Sequence, residues 1–390
     1  MKFWGWALLA GCSSTVLRDF QAAKSAALAA PAPAPTHWKP DVVVQIAAPT
    51  VAEALSPVVE EQLSKKTKLK YDVLGMPATA NAALKVKELD LSASPRCEQC
   101  LAIDTTLKGK VEWSFAGEEG SLPASIQIGF DAQFTATQEG GVWSLEIAPK
   151  DVRKAKVEVG GSKVAAPLEG ELATWVRDRL SDIEPFSLGN LGGADLPLRA
   201  ARVQAEGKDV QIHLLTASPT PGEVAPPKVT LKEGYRVWFS DASLVGLAKA
   251  KAFAQGPVGY DVVPEPTSIE LQEESFSLGL RLWRPVGAGW WRDYTVKGAL
   301  DPENKGIKLH PTEVIEGPKS KGAVLADPLA AIGEGYILKT LEQALSTTLP
   351  AKQGTKVGDI RLAAKFEHFQ TANGVIQIDG SLVVKSTKDR

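Results

Sequence analysis

Apolar residues recur along this chain at two periods. At period two, Leu101, Ile103, Thr105, Leu107, Val111, Trp113 and Phe115 alternate with polar or small residues, interrupted only at Gly109. Ile126, Ile128, Phe130, Ala132 and Phe134 form a second such run, and Phe276, Leu278, Leu280 and Leu282 a third. Successive side chains of a strand point to opposite faces, so each run predicts a strand with one apolar side. Their lengths predict a strongly twisted antiparallel sheet whose apolar face has to be covered. At helical spacing stand Leu168, Leu172, Trp175, Val176, Leu180 and Ile183, and again Leu329, Ile332, Tyr336, Leu341 and Leu345. Two shorter helices are expected. Thr50-Val51-Ala52-Glu53 has the pattern of a capping box leading into Leu55, Val58, Val59 and Leu63, with a kink expected at Pro57. The other starts at Ser240-Asp241 and carries Leu244, Leu247 and Ala248.

These elements repeat. Pro167-Leu168, Trp175-Val176 and Leu180 match Pro328-Leu329, Tyr336-Ile337 and Leu341 at a constant offset of 161. Val42, Val44 and Ile46 match Tyr235, Val237 and Phe239 at an offset of 193, each triplet followed by a helix. Val210-Gln211-Ile212 answers Ile376-Gln377-Ile378 near the two ends. A unit this long is a duplicated domain, since solenoid repeats run to about 20–50 residues. The proline cluster Pro219–Pro227 divides the halves, giving a first domain at 41–218, a linker at 219–227 and a second domain at 228–390.

The N-terminal residues read as targeting. Lys2 precedes the apolar run Phe3–Gly11, which is too short to span a bilayer about 30 Å thick. Leu9-Ala10-Gly11-Cys12 resembles the lipobox of bacterial lipoproteins. That resemblance implies export, removal of residues 1–11 as a signal peptide and acylation of the Cys12 thiol. It also implies attachment to a membrane of the bacterial envelope, with Ser13 pointing to the outer membrane. The alternative is an ordinary signal peptide with a chance cysteine. Gln21–Pro40 is rich in alanine and proline without a periodic apolar face and reads as a partly extended tether, so that 12–40 is taken as the tether segment.

Composition narrows the class. With 44 Lys+Arg against 46 Asp+Glu and no long basic run, there is no electrostatic footprint for a nucleic acid partner. A 44% hydrophobic content is too high for a disordered chain. Cys97-Glu98-Gln99-Cys100 lacks the strand-to-helix setting of a redox motif and the further ligands of a zinc site. A local disulfide and a pair of free thiols remain as its readings. His37, His213, His310 and His368 have no sequence neighbours suggesting a triad or metal ligand set, and no nucleophile elbow occurs. The sequence calls for no cofactor, no metal and no enzymatic activity. Trp290-Trp291, beside Val286-Gly287-Ala288-Gly289, has two readings: a membrane-interface pair at a hairpin tip, or one core residue with one capping the sheet.

Each half thus reads as strand, helix, long antiparallel strands, long amphipathic helix and closing strands. This order resembles the tubular lipid-binding (TULIP) superfamily, which includes the bactericidal/permeability-increasing protein and its lipid-transfer relatives. The likeness is carried by the helix entries Ile46–Leu63 and Phe239–Phe253, the segment Leu84–Leu91, and the paired helices around Trp175 and Tyr336. It implies an α+β fold of two tandem domains, each a twisted sheet wrapped round a long helix to leave an apolar tunnel for acyl chains. The basic surface of the bactericidal members is missing. Physically, a long rolled sheet offers more apolar face than one helix covers, which suits an elongated apolar ligand. Val51, Leu55, Leu107, Trp113, Trp175, Leu180, Phe276, Tyr336 and Leu341 are the candidate lining, and each is equally interpretable as core. The expected function is binding, and transfer, of lipid by an anchored envelope lipoprotein. A scaffold of the same fold, with a filled core and an interaction surface for protein partners, is the alternative.

Overall fold

The computed structural model of the chain describes residues 4–63, 67–73, 75–97, 99–139, 142–160, 165–183, 185–193, 196–225, 228–287, 289–303, 306–321, 334–339, 342, 355–357 and 360–386. They form mostly antiparallel sheet with few helices. Helix α1 (Trp4–Ala27) is followed by β1 (Val42–Ile46), α2 (Ala48–Leu63) and the long strands β2 (Thr67–Val73), β3 (Met76–Ala93), β4 (Cys100–Phe115), β5 (Glu118–Glu139) and β6 (Val142–Val159). Next come α3 (Ala165–Ser181), β7 (Phe186–Gly192), β8 (Leu198–Glu206) and β9 (Asp209–Thr216). The second half runs β10 (Tyr235–Ser240), α4 (Asp241–Gln255), β11 (Val263–Gln272), β12 (Ser275–Arg284), β13 (Trp290–Glu303), β14 (Gly306–Lys319), β15 (Thr355–Val357), β16 (Ile360–Ala372) and β17 (Val375–Ser386).

Three sheets result. Strands β2 to β7 lie in sequence order in one and β11 to β14 in another, while the third has the order β15-β16-β17-β10-β1-β9-β8 and takes strands from both halves. At its centre β1 pairs antiparallel with β10, Val44 opposite Val237. These two residues correspond in the sequence repeat. The flanking registers repeat too: Val42↔Leu214, Val44↔Ile212 and Ile46↔Val210 on one side match Tyr235↔Gly380, Val237↔Ile378 and Phe239↔Ile376 on the other. An approximate two-fold axis therefore passes between Val44 and Val237.

The two faces of this central sheet differ. Val42, Val44, Ile212, Leu214, Val237, Phe239, Ile376 and Ile378 point to one side and join the main apolar core. The other face carries the polar residues Gln45, Gln211, His213, Arg202, Arg236 and Asp379 beside Val43 and Trp238. Connecting segments cover it. Trp38 stacks on the Arg202 guanidinium at 4.6 Å, Arg199 donates to the Pro33 carbonyl, and Gln45 donates to the Val229 carbonyl and to Asp209. His213, fully buried, donates through Nε2 to Gln211 Oε1 when Nδ1 accepts from Arg202 Nε. Burial, with the Arg202 charge second, pushes the ring down to about 4.

The start of the linker is strapped to α4. Gly222 N–H donates to Ser243 Oγ at 2.8 Å, and Val224 N–H donates to the Pro40 carbonyl at 2.8 Å. A Cβ on Gly222 would meet Ser240 Oγ at 1.8 Å and Ser240 Cβ at 2.8 Å.

Two expectations need correction here. Helix α1 continues to Ala27, so the tether segment 12–40 is helical over its first part, including the first residues of the Gln21–Pro40 run read as extended. The cause is a stripe that the alanine-rich composition disguises: Val16, Phe20 and Ala27 are buried and Ala23 partly so, at positions i, i+4, i+7 and i+11. Thr50 does not cap α2, which starts at Ala48 and continues through Pro57. Its hydroxyl accepts the Gly234 N–H at 2.9 Å, while Asp209 Oδ1 accepts the Ala48 N–H. Of the second amphipathic run, Leu329, Ile332, Leu341 and Leu345 lie outside the described residues.

Two stability measurements follow from these contacts. Gly222→Ala is expected to destabilise by about 1–3 kcal/mol through overpacking, whereas Gly170→Ala, on α3 with open space around it, stabilises by about 0.5–1 kcal/mol. Urea midpoints compare the two, and equal shifts of one sign would contradict the strap. For His213, the unfolded ring titrates near 6.5, so between there and about 4 the unfolded chain binds more protons. The stability given by neutral His213 is full above the unfolded value and declines as the pH falls, by about 3 kcal/mol in all. Urea midpoints at about pH 7 and about pH 4 should show His213→Gln losing that part of the decline.

Candidate functional site

The alternating strands place their apolar residues on one side of the six-stranded sheet. Ala78, Ala80, Ala82 and Leu84 of β3, Leu101, Ile103, Leu107 and Val111 of β4, and Ile126, Ile128, Phe130, Ala132 and Phe134 of β5 are all buried. Helices α2 and α3 and strand β8 pack on this sheet. Helix α2 packs on β3, the strand whose inward residues include Ala78, Ala80 and Ala82, small side chains that let a helix approach a sheet closely. On α3, Leu168, Leu172, Val176 and Leu180 turn inward, and Glu169 accepts the Val159 N–H at 2.8 Å to hold the helix against β6.

The predicted lining residues meet in one continuous apolar cluster that spans both halves. Leu55, Leu107, Leu180 and Phe276 are buried members, and Val51, Trp113, Trp175 and Tyr336 are half-buried against it. The Trp113 ring lies against Gly120, where a Cβ would meet it at 2.8 Å. Tyr336 donates its hydroxyl to the Lys251 carbonyl of α4. Leu341 lies outside the described residues. Cys12 is within the backbone of α1, and its side chain is among those outside the described ones.

One cleft opens at the edge of this cluster. It has a volume of about 280 Å³ and lies between α3 and β6, lined by Pro149, Lys150, Asp151, Val152, Arg177, Leu180 and Ser181. Two bulges shape it. Opposite β5, the register of β6 slips once at Lys150 and once at Arg153, so each adds a residue without a partner and bends the strand. The bend is held from the far side by Arg153, whose guanidinium donates to Asp104 at 2.9 Å and to the Ile103 carbonyl at 3.2 Å and forms an ion pair with buried Asp131 at 3.1 Å. Within the cleft Leu180 is buried, Pro149 and Val152 are half-buried, and Lys150, Asp151 and Arg177 are exposed at the rim. Lys150 Nζ also reaches Cys97 Sγ at 3.8 Å, and Cys97 is bonded to Cys100. An apolar floor beneath two cations and one carboxylate can take a molecule with an apolar body and an anionic end.

Other candidates resolve as structure. Trp290 is buried at the start of β13, and half-buried Trp291 packs on Trp283 at 6.5 Å with the Arg281 guanidinium 4.3 Å over its ring. Among the described residues no group of three His, Cys, Asp or Glu side chains is placed to hold a metal. Also among them, no helix is long and apolar enough to cross a membrane. The bulged segment of β6 is the part of the site that sequence reasoning missed. The signal available was the polar run Pro149-Lys150-Asp151 inside an otherwise alternating strand.

No family model and no curated protein matches the sequence. Among solved structures, the chain is similar to the crystal structure of lipopolysaccharide binding protein, with 14% identity and a TM-score of 0.42 over 89% of this chain and 99% of that one. It is also similar to P47 of Clostridium botulinum E1, with 8% identity and a TM-score of 0.40 over 88% of this chain and 99% of that one. At these scores neither likeness carries weight for fold or function.

Arg153→Met is expected to destabilise by about 3 kcal/mol, because it leaves the Asp131 carboxylate buried without its cation. Replacing both with Asp131→Asn, Arg153→Met should recover most of that loss in a denaturation series. A single variant as stable as the native chain would remove the pair from the account of the bend.

Proposed function

We propose that the chain binds a lipid, or another elongated apolar molecule with an anionic end, against the inner face of the six-stranded sheet, and that it carries this cargo between membranes. The observation that carries this reading is the cleft at Leu180. It opens beside an apolar cluster running from β3–β6 through the central sheet into the second half, with cations at its rim. Each methylene that enters is favoured over water by about 0.8 kcal/mol, so no chemical step is required. In this reading the halves are two tandem TULIP-like domains sharing one sheet, and Cys12 is acylated and holds the protein on a membrane of the bacterial envelope, the outer membrane being favoured by Ser13. The protein is a carrier rather than an enzyme, with no cofactor and no nucleic acid partner.

Native mass spectrometry of the full chain extracted in mild detergent tests this. The expected result is co-purifying lipid, together with displacement of a fluorescent fatty acid. Val152→Trp, which fills the cleft from a half-buried position, should weaken that displacement by at least about tenfold with the fold intact. No bound lipid and no displacement would sink the carrier reading and leave the scaffold. Binding that ignores Val152→Trp would move the entrance elsewhere.

A further inference from the structure

Helix α1 does not hang free of the body. Phe20 packs between Phe253 at the end of α4 and Trp283 of β12, with ring centroids 5.7 and 5.9 Å away. One turn earlier, Val16 lies against Gly289, beside the turn that joins β12 to β13. From Phe20 to Val16 the helix therefore runs toward the end of the second half where that turn and the α4–β11 turn lie. Its backbone continues as helix for twelve more residues to Trp4, or about 18 Å at 1.5 Å per residue. The backbone of residues 4–15 is thus directed toward this end.

The same end presents two apolar side chains to solvent. Tyr260 in the α4–β11 turn is 74% exposed and Val286 in the β12–β13 turn is 41% exposed. Tyr260 is held there at a cost. It and Asp261 have φ of 50° and 62°, a left-handed pair that suits Asn and Gly and that a bulky ring adopts only under strain. The turn is closed by the Val258 N–H to Val262 carbonyl bond, and Arg284 on the neighbouring strand donates to the Tyr260 carbonyl at 3.2 Å. Strain that the surroundings maintain around an outward-facing ring points to a use for that ring. Tyr is also a residue favoured at a membrane–water interface.

We propose that this end of the second half rests on the lipid surface, with Tyr260 and Val286 at the interface and α1 acting as a rigid post that sets the orientation. The occupant is a bilayer, because Cys12, which carries the acyl chains in the anchored reading, lies on α1 one turn beyond docked Val16, at the end where the two turns lie. The proposal rests on the anchored reading given above. If residues 1–11 are removed, Cys12 remains four residues, about 6 Å of helix, from docked Val16. The body is then held against the membrane instead of being tethered above it.

Hydrogen exchange on the full, acylated chain tests this, in nanodiscs of phosphatidylethanolamine and phosphatidylglycerol and again in detergent. Flotation with vesicles of the same lipids establishes membrane attachment separately. In nanodiscs the turns at 258–262 and 284–287 should exchange at least about tenfold more slowly, while the distant Asn373–Gly374 turn is unchanged. Tyr260→Asn, Val286→Asn relieves the turn strain and should fold normally, float, and lose the protection. Phe20→Asp should float and lose it as well, because the post is undocked. A native chain that floats with both turns unprotected overturns this orientation and leaves anchoring intact. A chain that does not float overturns both, and lipid found by mass spectrometry would still stand as cargo.

Discussion

The antiparallel pair formed by β1 and β10 is the constraint on which the rest of the molecule depends. It is five residues long, and Val44 and Val237 at its centre occupy equivalent places in the two halves. Each strand has the other half on one side and its own closing strand on the other, in matching register. Because side chains alternate across a strand, this one registration turns Val42, Val44, Ile212, Leu214, Val237, Phe239, Ile376 and Ile378 to the same side. A slip of one residue would reverse them. The polar side is then closed by the segments that join the parts, through Trp38, Val229 and Leu231.

Much of this was legible in the sequence, for physical reasons that can be stated. Strands β4, β5 and β12 follow the alternating runs that predict them, and α3 buries Leu168, Leu172, Val176 and Leu180 as its spacing requires. The triplets around Val44 and Val237 match at a constant offset, and both present the same apolar face to the shared sheet. What stayed hidden depends on tertiary contact. Among the described side chains, the stripe on α1 has Val16 and Phe20 as large members, set among alanines that fit a linker equally well. Thr50 looks like a cap, but Asp209, distant in sequence, reaches the first N–H of α2 before it.

The candidate site was half legible. The eight described lining residues belong to the predicted apolar surface, and they gather into one cluster as the alternation demands. The place where that surface opens was not legible, because it depends on the bulges at Lys150 and Arg153. The one local sign was the break in alternation at Pro149-Lys150-Asp151, which does not say which residue loses its partner. Its cause is across the sheet, in the buried Asp131 that needs the Arg153 guanidinium.

The shared sheet also sets the order in which the chain can fold. Strand β1 lies near the beginning of the sequence, yet its partners are β9 and β10, whose residues follow it by roughly 170 to 200 positions. Closing such loops is slow, and contacts this distant form late. While the chain is being made, β2 to β7 can pair in order as they appear, but Val42–Ile46 must wait, an apolar strand with both edges open. A polypeptide interrupted in the proline run would keep β1 paired with β9 only. Its other edge would stay bare and ready to template association between copies. The two halves are thus bound to one shared sheet, and the interval before Tyr235–Ser240 arrives is when the protein most needs protection.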